Sequence, residues 1–548
     1  MKTFKIYSYY RTIIIWYILV SFVFCLNSCD EKSLLEEKPL SSLNSDIVLT
    51  SKAGFQNYII ALVQAAREEQ EINDKTYPSY FVGTDVVQVG FGSIEFENYN
   101  TYLTPATVEA SIIWDWAYTQ MILRANTIIV YANKPELKTI WSEAEKNAVI
   151  AEARFFRGYT YNLLANMYGG VPIVDTIFSK PKTDFVRSSR EQVYEFAEAD
   201  LEFASQWLPT TVDKTQEGRI VKGAADHLLS EVYISLGKYD KAIASATLVI
   251  NSGLYNLMTT RFGNKKDQPG DVFSDLFIDG NQNRSSGNLE SIYVRQFEEF
   301  TVGGAGTYKG NHMLRSWIPF STKIKDPKGK SGIVPTDSLG RGTGFCRPTN
   351  YFFYDIWKDN WNNDIRNSPF NIRRKQYYTN PASTYFGKLI EPKTSPEDTL
   401  RNIYPCIRKV EGKPWQNDNT SGRTPKDVMV YRLAETYLLR AEAYLRKGDV
   451  QNAAKDINVV RARANAKLVV LGDVTLDYIL DERARELITE EPRRRTLIRM
   501  GKLVERVRKY ALIELTRTNI QDKHGFFPIP QTAIDANFSA ILEQNPGY

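Results

Sequence analysis

Ala151-Glu-Ala-Arg-Phe-Phe-Arg-Gly-Tyr-Thr-Tyr-Asn-Leu-Leu-Ala-Asn-Met-Tyr-Gly-Gly-Val-Pro-Ile-Val174 is the stretch that decides the fold of this chain. With the residues before it, it predicts one helix from Glu143 to Tyr168. Phe155, Tyr159 and Leu163 fall at successive i,i+4 steps. Gly169-Gly170-Val171-Pro172 supplies the stop. Phe156, Tyr161 and Leu164 spread the apolar surface beyond one stripe, so the helix is expected to be buried on several sides.

Helical spacing extends outward on both sides. Tyr58, Leu62, Ala65 and Ala66 form one set, and Trp116, Ile122, Ala125 and Ile129 form another between Ile112 and Tyr131. The chain also contains an internal repeat. Ser230-Glu-Val-Tyr-Ile-Ser-Leu-Gly-Lys-Tyr-Asp-Lys-Ala242 overlies Ala441-Glu-Ala-Tyr-Leu-Arg-Lys-Gly-Asp-Val-Gln-Asn-Ala453. Glu231 matches Glu442, Tyr233 matches Tyr444, Gly237 matches Gly448 and Ala242 matches Ala453 at one offset. This is tetratricopeptide logic: a helix, a glycine turn, then a second helix with a small residue where the two pack closely. The expected fold is therefore mostly α, a tetratricopeptide-like scaffold over about 47–258 and 428–548.

Between the copies the chain changes in kind. About 259–427 is crowded with Gly, Pro, Asn and aromatics and shows little helical period. Ser291-Ile-Tyr-Val-Arg-Gln-Phe297 reads as a short strand. Gly303-Gly304-Ala305-Gly306, Gly340 to Gly344 and Asn360 to Asp364 read as structured loops. Loops held on a rigid scaffold are where recognition usually sits. The working surface is expected in this insertion, with a contribution from the early loop Tyr77 to Tyr102.

The amino terminus carries a different message. Lys2, Lys5 and Arg11 precede an apolar run from Ile13 to Leu26, too short to span a bilayer as a helix and suited to a signal peptide over 1–28. Leu26-Asn27-Ser28-Cys29 resembles a bacterial lipobox, which implies that Cys29 is diacylated and becomes the first mature residue; plain secretion and an uncleaved anchor are the alternatives. Residues 29–46 are polar, acidic and broken by Pro39, the composition of a tether. The domain proper is expected over 47–548.

Composition excludes some functions. Of 69 basic residues, 66 remain after processing, against 64 acidic ones. That balance offers no electrostatic footprint for nucleic acid. Cys346 and Cys406 are the cysteines left after Cys25 and Cys29, and in an oxidising compartment they can pair or stay free. His227, His312 and His524 have no spacing that suits a metal or a nucleophile, and no zinc-protease, nucleophile-elbow or P-loop pattern appears. No catalytic residues and no cofactor are expected. Asp359, Asn360, Asn362, Asn363 and Asp364 form an oxygen-rich cluster whose readings are a structural Ca2+ site or, more simply, loop caps. Arg493-Arg494-Arg495, Arg499, Arg506 and Arg508 lie among Asp477, Asp481, Glu482, Glu486, Glu490 and Glu491, so internal pairing is expected.

Four segments, in order, resemble the SusD/RagB family of Bacteroidetes outer-membrane lipoproteins. They are Ala151–Val174, Tyr431–Tyr444 followed by Asn458–Ala464, Glu482–Leu487, and Phe527-Pro-Ile-Pro530 with the terminal Gln544-Asn-Pro-Gly-Tyr548. This chain departs from the family at Glu491, where Gly is usual, and at Thr496, where Asp is usual. The resemblance implies about four tetratricopeptide-like helix pairs and a loop-rich insertion that carries the ligand. It also implies a hinged lid on a SusC-like, TonB-dependent barrel that captures oligosaccharide, or in some members peptide, for import. Asp30-Glu31 after Cys29 resembles the surface-export signals of such lipoproteins, which implies an outer-membrane protein facing the cell surface.

A sugar-binding role directs attention to aromatics. A sugar ring offers a C–H face to an aromatic ring, while its hydroxyls need amides or charges at the edge. Trp317, Tyr351, Trp361 and Trp415 lie in the insertion near Asn311, Arg315, Asn362 and Asn417; Tyr99 and Tyr102 lie in the early loop beside Asn98 and Asn100. These six are the candidate ligand contacts. Trp114, Trp116, Trp141 and Trp207 fall in helical stretches and are expected in the core. A lipid-anchored hydrolase is the competing class, and it would require a convergent pair of carboxylates in a cleft.

Overall fold

A single 25-residue helix, Glu143–Met167, is buried from Val149 to its end at all but one position. Its start is set by a capping box in which Ser142 and Glu145 satisfy each other's backbone N–H groups. Its end is set by Gly169 at φ 79°, a left-handed position that glycine takes without a Cβ clash. Phe155, Phe156, Tyr159, Tyr161, Leu163 and Leu164 are all buried, as an apolar surface on several sides requires. The computed structural model describes residues 45–69, 76–90, 96–305 and 310–548. Cys29 and the signal peptide expected before it lie outside the described residues. Ser45–Val48 is a short helix in a small unit ending at Thr50. Ser51–Tyr548 forms a second unit, which contains every other described element.

Helices of this second unit are numbered in order: α1 (Lys52–Glu68), α2 (Leu123–Ala132), α3 (Glu143–Met167), α4 (Arg190–Trp207), α5 (Lys222–Ser235), α6 (Tyr239–Ile250), α7 (Leu433–Arg446), α8 (Val450–Arg463), α9 (Leu476–Leu487) and α10 (Arg493–Arg499). A π-helical segment, Trp116–Ile122, leads into α2. α3 packs on α4, α5 on α6, and α7 on α8, while α4–α5 and α6–α7 contacts join successive pairs. Both repeat turns behave alike: Gly237 and Gly448 sit at φ 70° and 90°. Ala242 and Ala453 are fully buried where the second helix of each pair approaches its neighbour. Asp449 caps α8 through the backbone N–H of Asn452. The tetratricopeptide-like helical scaffold read from the repeat is the fold.

The insertion is held by three two-stranded antiparallel ladders, β1 (Val87–Val89) with β3 (Cys346–Pro348), β2 (Ser291–Arg295) with β6 (Val428–Arg432), and β4 (Ile372–Arg373) with β5 (Cys406–Ile407). The strand expected at 291–297 is β2, and its partner β6 runs directly into α7. Cys346 and Cys406 are buried free thiols on different ladders. Burial pushes the Cys406 thiol up to about 12, which keeps it protonated and unreactive.

Charge is buried on a large scale around α9. Arg366 reaches Asp364 at 2.7 Å and Glu482 and Glu486 at 2.8 Å, with no side chain of the four exposed. Arg432 and Arg463 also converge on Glu486 and Glu290. Burial raises the Glu486 carboxyl, but Arg463, Arg432 and Arg366 outweigh it and hold it well below the usual range. Arg493, Arg494 and Arg499 of α10 pair internally, joined by Arg506 beyond its end. Arg493 and Arg506 share Asp85 at 2.6 Å, Arg499 takes Glu442 at 2.6 Å, and Arg494 bonds the Ser79 carbonyl. Glu491 pairs with Arg483 and Arg493, so this chain uses a carboxylate at that departure from the family.

Candidate functional site

Two exposed aromatic surfaces lie in the insertion, and local sequence explains each. In the first, Thr349 caps the short helix Asn350–Phe353, and a 3-10 turn, Asp355–Asn360, comes directly after it. Trp357 anchors this turn: it is 1% exposed and donates its indole N–H to the Phe352 carbonyl at 2.7 Å. Tyr354 and Trp361 flank the anchor and remain 42% and 41% exposed. Their rings are near-parallel, 11° apart with centroids separated by 6.2 Å. The Arg374 guanidinium sits 4.5 Å from the Trp361 ring centre. It is fixed there by hydrogen bonds to the Phe353 carbonyl and the Asn367 side chain at 2.7 and 2.6 Å. Burial lowers Arg374 to about 10, so it is still a cation at neutral pH. Asn362 and Asn363 beside Trp361 are exposed.

In the turn beneath this surface, the oxygens of Asp364 and Asn360 are engaged by protein groups. Both Asp364 oxygens are engaged by Arg366, and the Asn360 side chain accepts from the Lys467 backbone N–H at 2.5 Å. These oxygens serve as caps and ion-pair partners, and among the described residues no cluster of His, Cys, Asp and Glu is arranged to hold a metal ion. Through Arg366 the same turn is fastened to Glu482 and Glu486 on α9. The surface therefore stands on the scaffold.

The second surface is the loop 298–304. Phe300 at its tip is 85% exposed and adopts φ 58°, and Val302 is fully exposed. Arg67 at the end of α1 holds the loop base by donating to the carbonyls of Gln296 and Gly303. A Cβ on Gly304 would come within 2.3 Å of the Glu298 carbonyl oxygen, so only glycine closes this turn. Glu299 then accepts from Lys413 at 2.9 Å and from the backbone N–H of Gln416. That joins the loop to 416–420, an exposed run rich in amides. Gln416 and Asn417 also have positive φ, the kind of strain that gathers at recognition loops. Asp427, raised to about 6 by burial, accepts from the Phe297 N–H at the same base.

Of the six aromatics singled out in the sequence, only Trp361 presents an open ring. Trp317 is 1% exposed; its N–H meets the Tyr77 hydroxyl at 3.1 Å and its edge packs on Phe81. Trp415 is buried beneath its loop, so close to Gly310 that a Cβ there would lie 2.6 Å from the indole. Tyr99 is enclosed and donates to the Gly83 carbonyl. These three rings offer no face to a ligand in this arrangement. Tyr102 is half-buried against Glu109, and Tyr351 is half-buried, stacked on Tyr510 at 3.7 Å with its hydroxyl on Asp481. Trp114, Trp116 and Trp141 are in the core as expected, and Trp207 is half-buried. Sequence reasoning missed Tyr354, Phe300 and Arg374. Tyr354 was legible in part, since it and Trp361 bracket Trp357 within a polar turn.

Known proteins resemble this chain along its length. A sequence model of the SusD family matches residues 347–548. A second, described as starch-binding associating with outer membrane, matches residues 33–234. SusD-like protein P25 of Formosa agariphila is 23% identical over 97% of this chain and 98% of its own length. The starch-binding protein SusD of Bacteroides thetaiotaomicron is 35% identical over 24% of this chain and 25% of its own. Among solved structures, surface glycan-binding protein A of B. thetaiotaomicron, in complex with laminarihexaose, superposes with a TM-score of 0.70. It shares 22% identity and covers 90% of this chain and 100% of that one. That likeness carries the fold.

Proposed function

Because this chain belongs to the SusD/RagB family, we propose that it is a surface glycan-binding lipoprotein that captures oligosaccharides at the outer membrane. The observation that carries the reading is the exposed, near-parallel Tyr354–Trp361 pair, with Asn362 and Asn363 at its edge and Arg374 behind it. Flat aromatic surface beside amides suits the C–H face and the hydroxyl rim of a sugar. A peptide groove would instead present unpaired backbone donors and side-chain pockets. The loop 298–304 with 416–420 supplies a further aromatic and amide-rich contact. Binding without turnover completes the reading, and the ligand is handed on unchanged.

Delivery is the finer part of the proposal. The lipidated Cys29 and its tether hold the domain at the outer membrane, facing outward, and a SusC-like TonB-dependent transporter receives the cargo. Isothermal titration of the full chain in detergent against a panel of neutral and acidic glycans, alongside peptide digests, tests the binding step. One glycan class is expected to bind and to be weakened in Trp361→Ala and Tyr354→Ala. Binding confined to peptides would overturn the glycan reading.

A further inference from the structure

The insertion holds a cavity of ≈ 210 Å³ walled by parts of 261–279, 370–371 and 408–412, with Asp337. It shares no residue with the Tyr354–Trp361 surface or with the loop 298–304. Basic and acidic residues line it in equal number. Arg261 pairs with Asp275 at 2.5 Å, and Lys409 with Glu490 at 2.5 Å. A wall so balanced gives an ionic ligand no advantage over a neutral one.

Three adjoining residues of this wall offer an acceptor, a donor and a ring. Asn371 is only 3% exposed. Its Nδ2 donates to the Asp271 carboxylate at 2.9 Å and to the Ile365 carbonyl at 2.7 Å, which fixes the amide. The Oδ1 on the other arm has no partner among the described residues and is not sealed from solvent. Arg408 donates from Nε to Glu411 at 3.1 Å and from Nη1 to the Pro369 carbonyl at 3.3 Å; its Nη2 has no partner among the described residues. The Arg408 backbone N–H donates to the Asn371 carbonyl at 2.9 Å, which sets the two residues side by side. Phe370, next to Asn371, is 36% exposed and lines the same cavity. Hydroxyls serve both polar atoms, since each can donate and accept. An aromatic face suits the C–H side of a sugar ring, and a concave wall with a few fixed polar groups is the usual form of a small-ligand site. We propose that this cavity is a second sugar subsite, taking one uncharged pyranose unit. Its C–H face lies on Phe370, while neighbouring hydroxyls donate to Asn371 Oδ1 and accept from Arg408 Nη2. Lys413 ties the subsite to the loop 298–304: its backbone N–H donates to Asp279 of the cavity wall at 2.8 Å, and its ammonium to Glu299 at 2.9 Å. The subsite rests on the glycan-binding reading above but not on the Tyr354–Trp361 surface.

The test is isothermal titration of the full chain in detergent with the hexasaccharides of laminarin, starch, cellulose, xylan and mannan, and with trigalacturonate as the acidic probe. At least one neutral hexasaccharide binds, and more tightly than trigalacturonate. Phe370→Ala and Arg408→Lys each weaken it about tenfold, with melting temperatures near that of the parent. Phe370→Tyr, which restores the ring, binds as the parent does. The proposal is overturned if both Phe370→Ala and Arg408→Lys bind undiminished, if Phe370→Tyr is as weak as Phe370→Ala, or if trigalacturonate binds as well as the neutral probes. Weakening in Trp361→Ala with both cavity variants unaffected removes this subsite and keeps the Tyr354–Trp361 surface. The reverse pattern keeps this subsite and removes that surface. If no neutral probe binds, the subsite falls, and binding of peptides alone takes the glycan reading with it.

Discussion

Arg366 and Glu486 meet at 2.8 Å with neither side chain exposed. One belongs to the turn that carries Trp361 and the other to scaffold helix α9, so the candidate binding surface and the tetratricopeptide-like core share a buried ion pair. Removing one partner of such a pair strands the other charge out of water. Arg366→Met is therefore expected to cost about 3–5 kcal/mol of stability. Urea unfolding of the variant checks this, and a midpoint equal to the parent's would show that the turn stands without α9.

Exposure separates the two tryptophans that the sequence treats alike. Trp361→Ala removes an open ring and is expected to weaken glycan binding about tenfold while leaving the melting temperature within a degree or two. Trp317→Ala empties a packed core position and is expected to cost about 3–5 kcal/mol. Paired titration and thermal melts of both variants read the contrast directly.

Acid should unfold this protein through its buried carboxylates. Burial raises Asp85, Glu442 and Glu482, but their arginine partners more than reverse this and hold each at about 2. Their folded values lie below the ordinary range near 4. The stability they contribute is present above pH about 4–5 and lost as pH falls toward 2. Unfolding midpoints at pH 7, 4 and 3 are expected to drop steeply only across the last interval. A flat profile would mean these pairs contribute little.

Asp427 has the opposite sign. Burial raises it to about 6, so the folded state holds its proton more tightly, and stability from this group is lost as pH rises from about 4 through 6. Asp427→Asn lacks that loss. Relative to the parent, the variant is expected to gain about 2–3 kcal/mol between pH 4 and pH 7. The loop base it shares with Phe297 makes glycan affinity at both pH values a useful second readout.

Gly448 turns between α7 and α8 at φ 90°, with nothing within 4 Å of where a Cβ would stand. Only backbone conformation opposes a side chain there. Gly448→Ala is expected to destabilise by about 1–2 kcal/mol and Gly448→Asn by less. Equal losses would point to a steric cause instead.

Local pattern was enough for the scaffold. The i,i+4 rows of α3, its Gly-Gly-Val-Pro stop and the paired repeats around Gly237 and Gly448 depend on neighbours a few residues away, so one dimension records them. The internal use of the arginine run was readable as charge balance. Its true partners were not, because Asp85 stands more than 400 residues from Arg493 and Arg506.

The binding surface was legible only as a region. Trp317, Trp361 and Trp415 look equivalent in sequence, each a tryptophan in a polar, glycine-rich insertion. Which ring is covered depends on what folds over it: Tyr77 and Phe81 from the early segment cover Trp317, and Gly310 lets the chain close over Trp415. The sequence by itself determined the helical scaffold, the place of the insertion and the resemblance that names its family, because periodicity and turn chemistry are local. Tertiary structure alone decided that Tyr354 and Trp361 face outward together and that Cys346 and Cys406 remain free thiols. In an aperiodic insertion, which ring is covered depends on contacts between segments distant in the chain, and no local period encodes it.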